Sequence, residues 1–294
     1  MNRTKAHILL ILMTFVGGAH FIIAKEVMPQ YISPSGMILV RIMAGFVFFS
    51  CFLPFQHKLQ WFDKQDYLRV VICAFLGVAI NQLMFFKGLA LTKPINASLI
   101  MLISPIEVFI ISSIILKESF SWTKILGISL GLAGASLLLL YHHQTGTHGA
   151  YWGDWFILVN ATAWSFYVVL VMPLMRKYNA YLVLASTFFI AIFIILPFGY
   201  DDLTNVVWQN LPSKVWWYIG FILVFATFYN FYVNTTVLRT LSPSQAGVYI
   251  YFQPIVASGL AIFLGKDDFY WEKIVFAFLI MLGVYLTNRR MKNG

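Results

Sequence analysis

The run LISPIEVFIISSIILKES, Leu102 to Ser119, sets a carboxylate, Glu107, two residues after a proline, Pro105, in a stretch otherwise apolar enough for lipid. An ionised carboxylate at the centre of a membrane helix costs about 2.5–3.5 kcal/mol on insertion scales, so it should face protein or water and is a functional-site candidate by default. Three kinds of chemistry suit such a group: carrying a proton, meeting a solute, or completing a buried ion pair. The candidate partner for a pair is Arg41, alone among apolar residues in GMILVRIMAG. At a rise of about 1.5 Å per residue the two lie at depths where their side chains meet if the helices are adjacent. Pro105, and Pro254 in the later run YFQPIVASG, each remove one helical hydrogen bond and free a carbonyl one turn earlier. In a membrane that carbonyl must be answered by a neighbour, water or a ligand, so both prolines are read as hinge positions, with plain helix packing as the alternative.

Uncharged polar and aromatic residues recur at helical spacing. Gly77, Asn81, Phe85 and Gly88 share one face, as do Asn230 and Asn234, and Tyr249 and Gln253 repeat the face on which Ser104 and Glu107 lie. With Trp164, Tyr167 and His20 they predict a polar, aromatic-walled cavity suited to a zwitterionic or aromatic-bearing solute. The plainer reading is interhelical hydrogen bonding, worth about 0.6 kcal/mol per contact in a membrane, and His20 by itself reads as structural. No nucleophile, base or metal cluster accompanies these residues. Cys51 and Cys73 lack a CxxC partner and read as packing residues. His142, His143 and His148 are irregularly spaced in YHHQTGTHGAYWGD and read as a linker, with weak metal binding as the alternative; no cofactor is expected. There is no phosphate-cradling glycine loop for ATP drive.

The elements that position these residues follow from composition. The chain has 294 residues, 60% hydrophobic and 11% charged, with mean hydropathy +0.80, where a soluble domain is about one-quarter charged. Apolar runs long enough to cross about 30 Å of hydrocarbon fall near 6–24, 33–54, 68–91, 95–116, 124–141, 152–172, 180–199, 215–238, 244–264 and 273–288. The expectation is an all-α integral membrane protein of ten transmembrane helices. The net charge of +9 does not point to nucleic acid, because its distribution explains it. Arg3, Lys5, Lys58, Lys64, Arg69, Lys117, Lys124, Arg176, Lys177, Arg239, Arg289, Arg290 and Lys292 lie on the side of the termini, against Lys25, Lys87, Lys93, Lys214, Lys266 and Lys273 on the other. The positive-inside rule then places both termini in the cytoplasm. The first span is too long for the apolar core of a signal peptide and reads as a membrane helix.

The sequence also repeats. PINASLIMLISPIEVF aligns without a gap on PSQAGVYIYFQPIVAS, and the match continues: Pro94 on Pro243, Ala97 on Ala246, Pro105 on Pro254, Phe120 on Phe269, Trp122 on Trp271, Lys124 on Lys273 and Gly134 on Gly283. Upstream, Asn81 falls on Asn230, while Glu107 falls on Val256. The offset is 149 residues (243 − 94) and spans five crossings, so the halves, 1–145 and 146–294, are expected to lie in opposite orientations. Secondary transporters use inverted repeats to present one midplane site to each side in turn.

The segments SPSGMILVRIMAG, KGLALTKPINASLIMLISPI, LKESFSW and LRTLSPSQAGVYIYFQPIVASGLAIFLGKDDFYW, in this order and spacing, resemble the drug/metabolite transporter superfamily, specifically its ten-helix EamA-type carriers. Arg41 occupies the position of that family's second-helix arginine. Two departures are Lys266-Asp267 after the ninth span and FVGGAHF, without tryptophan, in the first. The resemblance implies a carrier in the bacterial cytoplasmic (inner) membrane that moves small metabolites by efflux, amino acid export among them, through a cavity between the halves, with protons as the candidate coupling ion and a monomer sufficing. A membrane-embedded lipid-modifying enzyme and a non-transporting sensor are the competing classes. The first lacks an interfacial catalytic cluster and the second a soluble output domain.

Overall fold

A computed structural model describes residues 1–56, 60–92, 97, 100–118, 121–141, 151–253, 255–256 and 271–288, and among these there is helix and no strand. The helices are α1 (Arg3–Val27) and α2 (Pro34–Cys51), α3 (Lys64–Leu91), α4 (Ser104–Ile115), α5 (Trp122–Tyr141), α6 (Tyr151–Lys177) and α7 (Ala180–Thr204), α8 (Ser213–Val237), α9 (Pro243–Gly247) continued by the 3-10 turn Val248–Phe252, and α10 (Trp271–Asn288). Each of the ten expected spans overlaps one of them. Among the described residues, α3, α6, α7, α8 and α2 with its extension to Phe55 are long and apolar enough to cross a membrane, and α4, Trp122–Leu137 of α5 and Ile274–Asn288 of α10 are shorter apolar stretches. Helix starts follow local chemistry. Asn2, Ser33 and Ser242 accept N–H bonds from the first turns of α1, α2 and α9, and Pro34 and Pro243 occupy first turns where no donor is missed. Phe193, Ile114 and Phe15 project outward, as do Trp122, Trp152, Trp217 and Trp271 near helix ends, the arrangement expected of a lipid-facing surface with interfacial tryptophans.

Packing runs between helices that correspond across the repeat: α2 along α7, α5 along α10, and α4 against α9. Likewise α3 packs on α6 while α8 packs on α1. Small residues permit the closest of these approaches. A Cβ on Gly283 would stand 2.5 Å from the backbone nitrogen of Gly131, so these two glycines let α5 and α10 pack backbone to backbone. On α2, Gly45 makes room for the Phe188 ring of α7, 2.3 Å from where its Cβ would be.

The irregular segments correspond too. α3 contains a π-helical stretch, Ala74–Ile80, and α8 contains another, Ile222–Tyr229; shifted by 149, the first becomes 223–229. The turn at Leu102 and Ile103 that precedes α4 falls within the counterpart of the 3-10 stretch Val248–Phe252. π-bulges and interrupted helices leave backbone carbonyls without their usual partners, and they cluster at functional sites. Here they surround the centre of the molecule.

Candidate functional site

A cavity of about 130 Å³ lies between α1, α2, α3, α4, α6, α8 and α9. Seven of the nine residues expected to line a cavity do so: Asn81, Phe85, Ser104, Trp164, Asn230, Asn234 and Gln253. Gln253 sits against Gly17 of α1, whose Cβ would come within 2.7 Å of its amide nitrogen. The Asn234 amide donates to Asn230 Oδ1 at 2.7 Å, fixing the two as a unit. His20 also lines the space, stacked on Phe85 at 5.6 Å and edge-on to Phe86 at 5.9 Å. The other two expected residues lie elsewhere. Tyr167 is fully buried against α3, its ring filling the room left by Gly77, where a Cβ would stand 2.0 Å from Cδ2. Tyr249 turns toward α1, its hydroxyl 2.7 Å from His7 Nδ1. Each shares a helical face with cavity residues, but a glycine and a histidine on neighbouring helices draw its ring away.

Lining residues that the sequence did not single out include Gln82, Phe86 and Asn160. Asn160 is four residues before Trp164, so the spacing was there to read. Gln82 and Phe86 lie one position beyond Asn81 and Phe85, because the cavity face of α3 is wider than a single stripe. Asn160 donates to the Asn81 carbonyl at 2.7 Å, next to the π-helical stretch.

The proposed pair between Arg41 and Glu107 is not formed. Arg41 reaches from α2 to the π-helical stretch of α8, donating from Nε to Thr227 Oγ1 at 2.8 Å and from Nη2 to the Ala226 carbonyl at 3.1 Å. Its guanidinium also lies 4.7 Å from the centre of the Phe86 ring. Thr227 is oriented by its own bond to the Ile222 carbonyl, at 2.8 Å. Glu107 points instead to α6, accepting from Thr162 at 2.7 Å and from Ser165 at 2.9 Å. The carboxylate is half-buried and does not line the cavity; the arginine is 4% exposed and does. Pro105 is in the first turn of α4, after the break at Leu102 and Ile103, so it begins a helix where a mid-helix kink was expected. Its counterpart Pro254 and the loop histidines His142, His143 and His148 lie outside the described residues.

A second polar cluster joins the halves at the face that carries Met1. After α4, Lys117 takes the left-handed backbone conformation, φ 52°, and turns Glu118 back toward α9. Glu118 accepts from Ser242 Oγ at 2.7 Å and Ser244 Oγ at 2.8 Å on α9, and from Lys124 Nζ at 2.7 Å on α5. Ser244 is also 3.1 Å from Ser112 of α4. Burial pushes the Glu118 carboxyl up, but the Lys124 and Ser242 bonds and the Lys124 charge outweigh it and hold it below the usual carboxylate range. Nearby, Asp66 accepts from Lys177 and Tyr178, each at 2.7 Å, and Arg239 donates to the Tyr178 carbonyl at 2.7 Å. In the sequence this cluster is carried by LKES and LSPSQ. No group of three or more candidate metal ligands occurs among the described residues.

Residues 4–140 and 151–289 match the EamA-like transporter family. The chain belongs to that family. Among relatives of this EamA-like chain, an uncharacterized transporter, YyaM, of Bacillus subtilis (strain 168) is 22% identical over 291 residues, covering 98% of this chain and 95% of the relative. An S-adenosylmethionine/S-adenosylhomocysteine transporter of Chlamydia muridarum is 26% identical over 277 residues, covering 89% and 84%. A WAT1-related protein of Arabidopsis thaliana, At3g18200, is 26% identical over 244 residues, covering 73% and 62%. One solved structure, described as a crystal structure of protein, superposes with a TM-score of 0.76 at 17% identity, covering 99% of this chain and all of that one; this shows the shared fold. Family membership and the apolar helices together make this EamA-like chain an integral multi-pass membrane protein of transporter type.

Proposed function

We propose that this chain is a secondary-active carrier that moves a small metabolite by alternating access. Its two five-helix halves, 1–145 and 146–294, would form one transport unit related by inversion, with both termini in the cytoplasm of a bacterial cell and a single copy sufficing. The supporting observation is the central cavity, built from helices of both halves and flanked on the Met1 side by the Glu118 cluster, which ties the halves together through α4 and α9. A cavity with one tied face is what one state of an alternating-access carrier requires. The correspondence of π-helical stretches, helix breaks and packing pairs at the repeat offset supports the inverted arrangement.

Amino acids and related compounds are the solutes implied by the sequence resemblance, with export as the direction. The Chlamydia relative adds S-adenosylmethionine and S-adenosylhomocysteine as first probes. Protons are the proposed coupling ion and Glu107 their carrier, since that carboxylate has hydroxyl partners and, among the described residues, no cation. The test is counterflow in proteoliposomes loaded in turn with amino acids and these two nucleosides. Saturable exchange of at least one solute is expected; none with any, from well-folded protein, would refute the reading. A reporter fused at the C-terminus checks the orientation, which an extracellular signal would overturn.

A further inference from the structure

Resting on that reading and narrowing it, we infer that the cavity takes an organic acid, its carboxylate docked on Arg41, in preference to a solute whose charge is a fixed cation. Arg41 is a cavity-lining cation almost without solvent contact. Two of its nitrogens are engaged, Nε by Thr227 and one hydrogen of Nη2 by Ala226, which leaves Nη1 without a hydrogen bond among the described residues. A guanidinium presents five N–H donors in a planar fork that matches a carboxylate.

The charge is not balanced by protein at the cavity. No acidic residue lines it among the described residues, and the candidate partner from sequence, Glu107, is turned instead to the hydroxyls of Thr162 and Ser165. A buried charge is normally paired, because removal from water is costly and an opposite charge offsets it. An anionic solute supplies that charge; a protonated amine would meet an arginine and no carboxylate.

A second observation is independent of Arg41. Around the same space, both amide atoms of Gln82, the hydroxyl of Ser104 and Oδ1 of Asn160 are buried without a hydrogen-bond partner among the described residues. These side chains are 2%, 3% and 1% exposed. Buried polar groups are satisfied in the great majority of cases, by protein, water or ligand, so a cluster of unsatisfied ones around one cavity calls for a polar guest there. Their chemistry is neutral, suited to the second carboxylate oxygen and to one further polar group. The rest of the wall is Phe85, Phe86, Trp164 and Phe231, a surface for an apolar or aromatic body. At about 130 Å³, the space is below the 300–1,000 Å³ of drug-sized ligand sites and fits a small acid.

The experiment is binding to purified full-length protein in nanodiscs, with fluorescence of the cavity residue Trp164 compared in a Trp164→Phe control. The probes are matched sets with one body and different head groups: 3-phenylpropanoate, L-phenylalanine and phenethylamine; 4-methylpentanoate, L-leucine and isoamylamine; indole-3-propanoate, L-tryptophan and tryptamine. The acid of at least one set is expected to bind more than tenfold tighter than its amine, and no weaker than its amino acid. Arg41→Gln should abolish the difference between acid and amine, and Arg41→Lys should restore part of it. The ligand series on unmodified protein stands even if Arg41→Gln fails to fold. Amines binding as tightly as acids, or no acid binding at all, would overturn the inference. Flux of the same probes in liposomes separates the two readings. Acid binding without flux leaves the anion site and removes the carrier; flux of amines in place of acids leaves the carrier and removes the anion site.

Discussion

Glu118→Gln is the perturbation with the clearest magnitude. The carboxylate accepts two bonds across the halves, from Ser242 and Ser244, and one from Lys124 within its own half. Its side chain is 8% exposed, so water replaces these bonds poorly. Hydrogen bonds to charged groups contribute about 1.5–3 kcal/mol each. Glutamine keeps one acceptor oxygen and turns the other atom into a donor, facing either Lys124 or a serine hydroxyl. With its oxygen toward Lys124 and Ser242 and its amide N–H toward the Ser244 hydroxyl, which then accepts, the two cross-half bonds lose their charge assistance, about 1 kcal/mol each and about 2 kcal/mol together. If those bonds are absent when the Met1 face opens, the open state gains about thirty-fold in population relative to the closed one, at 1.4 kcal/mol per factor of ten. The assay is labelling of Ala246→Cys, a cavity position on α9, by an impermeant maleimide from the Met1 side, after Cys51 and Cys73 are replaced. Initial labelling should accelerate by about that factor, and Ser244→Ala should give a smaller acceleration. Because the folded carboxyl is held below the usual range, its contribution is present above the ordinary carboxylate pKa and is lost only as pH falls through the depressed value. Labelling with Glu118 intact, divided at each pH by that of a fully exposed cysteine to remove the thiolate's own pH dependence, should therefore be flat from about pH 5 to pH 8, above the ordinary carboxylate range. Unchanged labelling in a well-folded Glu118→Gln protein would refute the latch.

Glu107→Gln should abolish proton-driven transport and leave counterflow intact, because the amide imitates a protonated acid; full proton-driven uptake would remove Glu107 from coupling. Since Arg41 and Glu107 have separate partners, the double variant Arg41→Gln with Glu107→Gln should lose stability additively within about 0.5 kcal/mol. Rescue of one change by the other, read by thermal unfolding in detergent, would show that the two are paired after all. Gly283→Ala should destabilise by about 1–3 kcal/mol, since its methyl would meet the backbone of α5. An unchanged Tm would mean that α5 and α10 are not in contact as described.

Much of the helical layout was legible because hydropathy is a long-range signal and the membrane allows few structures. Each apolar run overlaps a helix, and the irregular stretches of α3 and α8 fall at the offset of the repeat, although nothing in the repeat itself announced them. The cavity was legible where polar residues stood alone on an apolar helix, as with Asn81, Asn230 and Gln253. Reading failed where a side chain's direction depends on a neighbouring helix. Tyr167 follows the gap at Gly77, Tyr249 follows His7, and Arg41 turns to a carbonyl next to Thr227 in a π-helical stretch that periodicity does not encode. Glu118 was overlooked because a loop carboxylate beside lysines reads as solvated until the partner loop is known to fold against it.

The most direct test of alternating access is a cavity cysteine probed from both faces, with and without a lock on one of them. Asn234→Cys lines the cavity, and Ser112 and Ser244, 3.1 Å apart at their hydroxyls, offer positions for a disulfide between α4 and α9. In oriented vesicles of the cysteine-replaced protein, Asn234→Cys should react with an impermeant thiol reagent from either side. Oxidising the added Ser112→Cys and Ser244→Cys pair should abolish reaction from the Met1 face, preserve it from the opposite face and stop transport, all reversed by reductant. Continued labelling from both faces, or transport that survives the cross-link, would contradict the account.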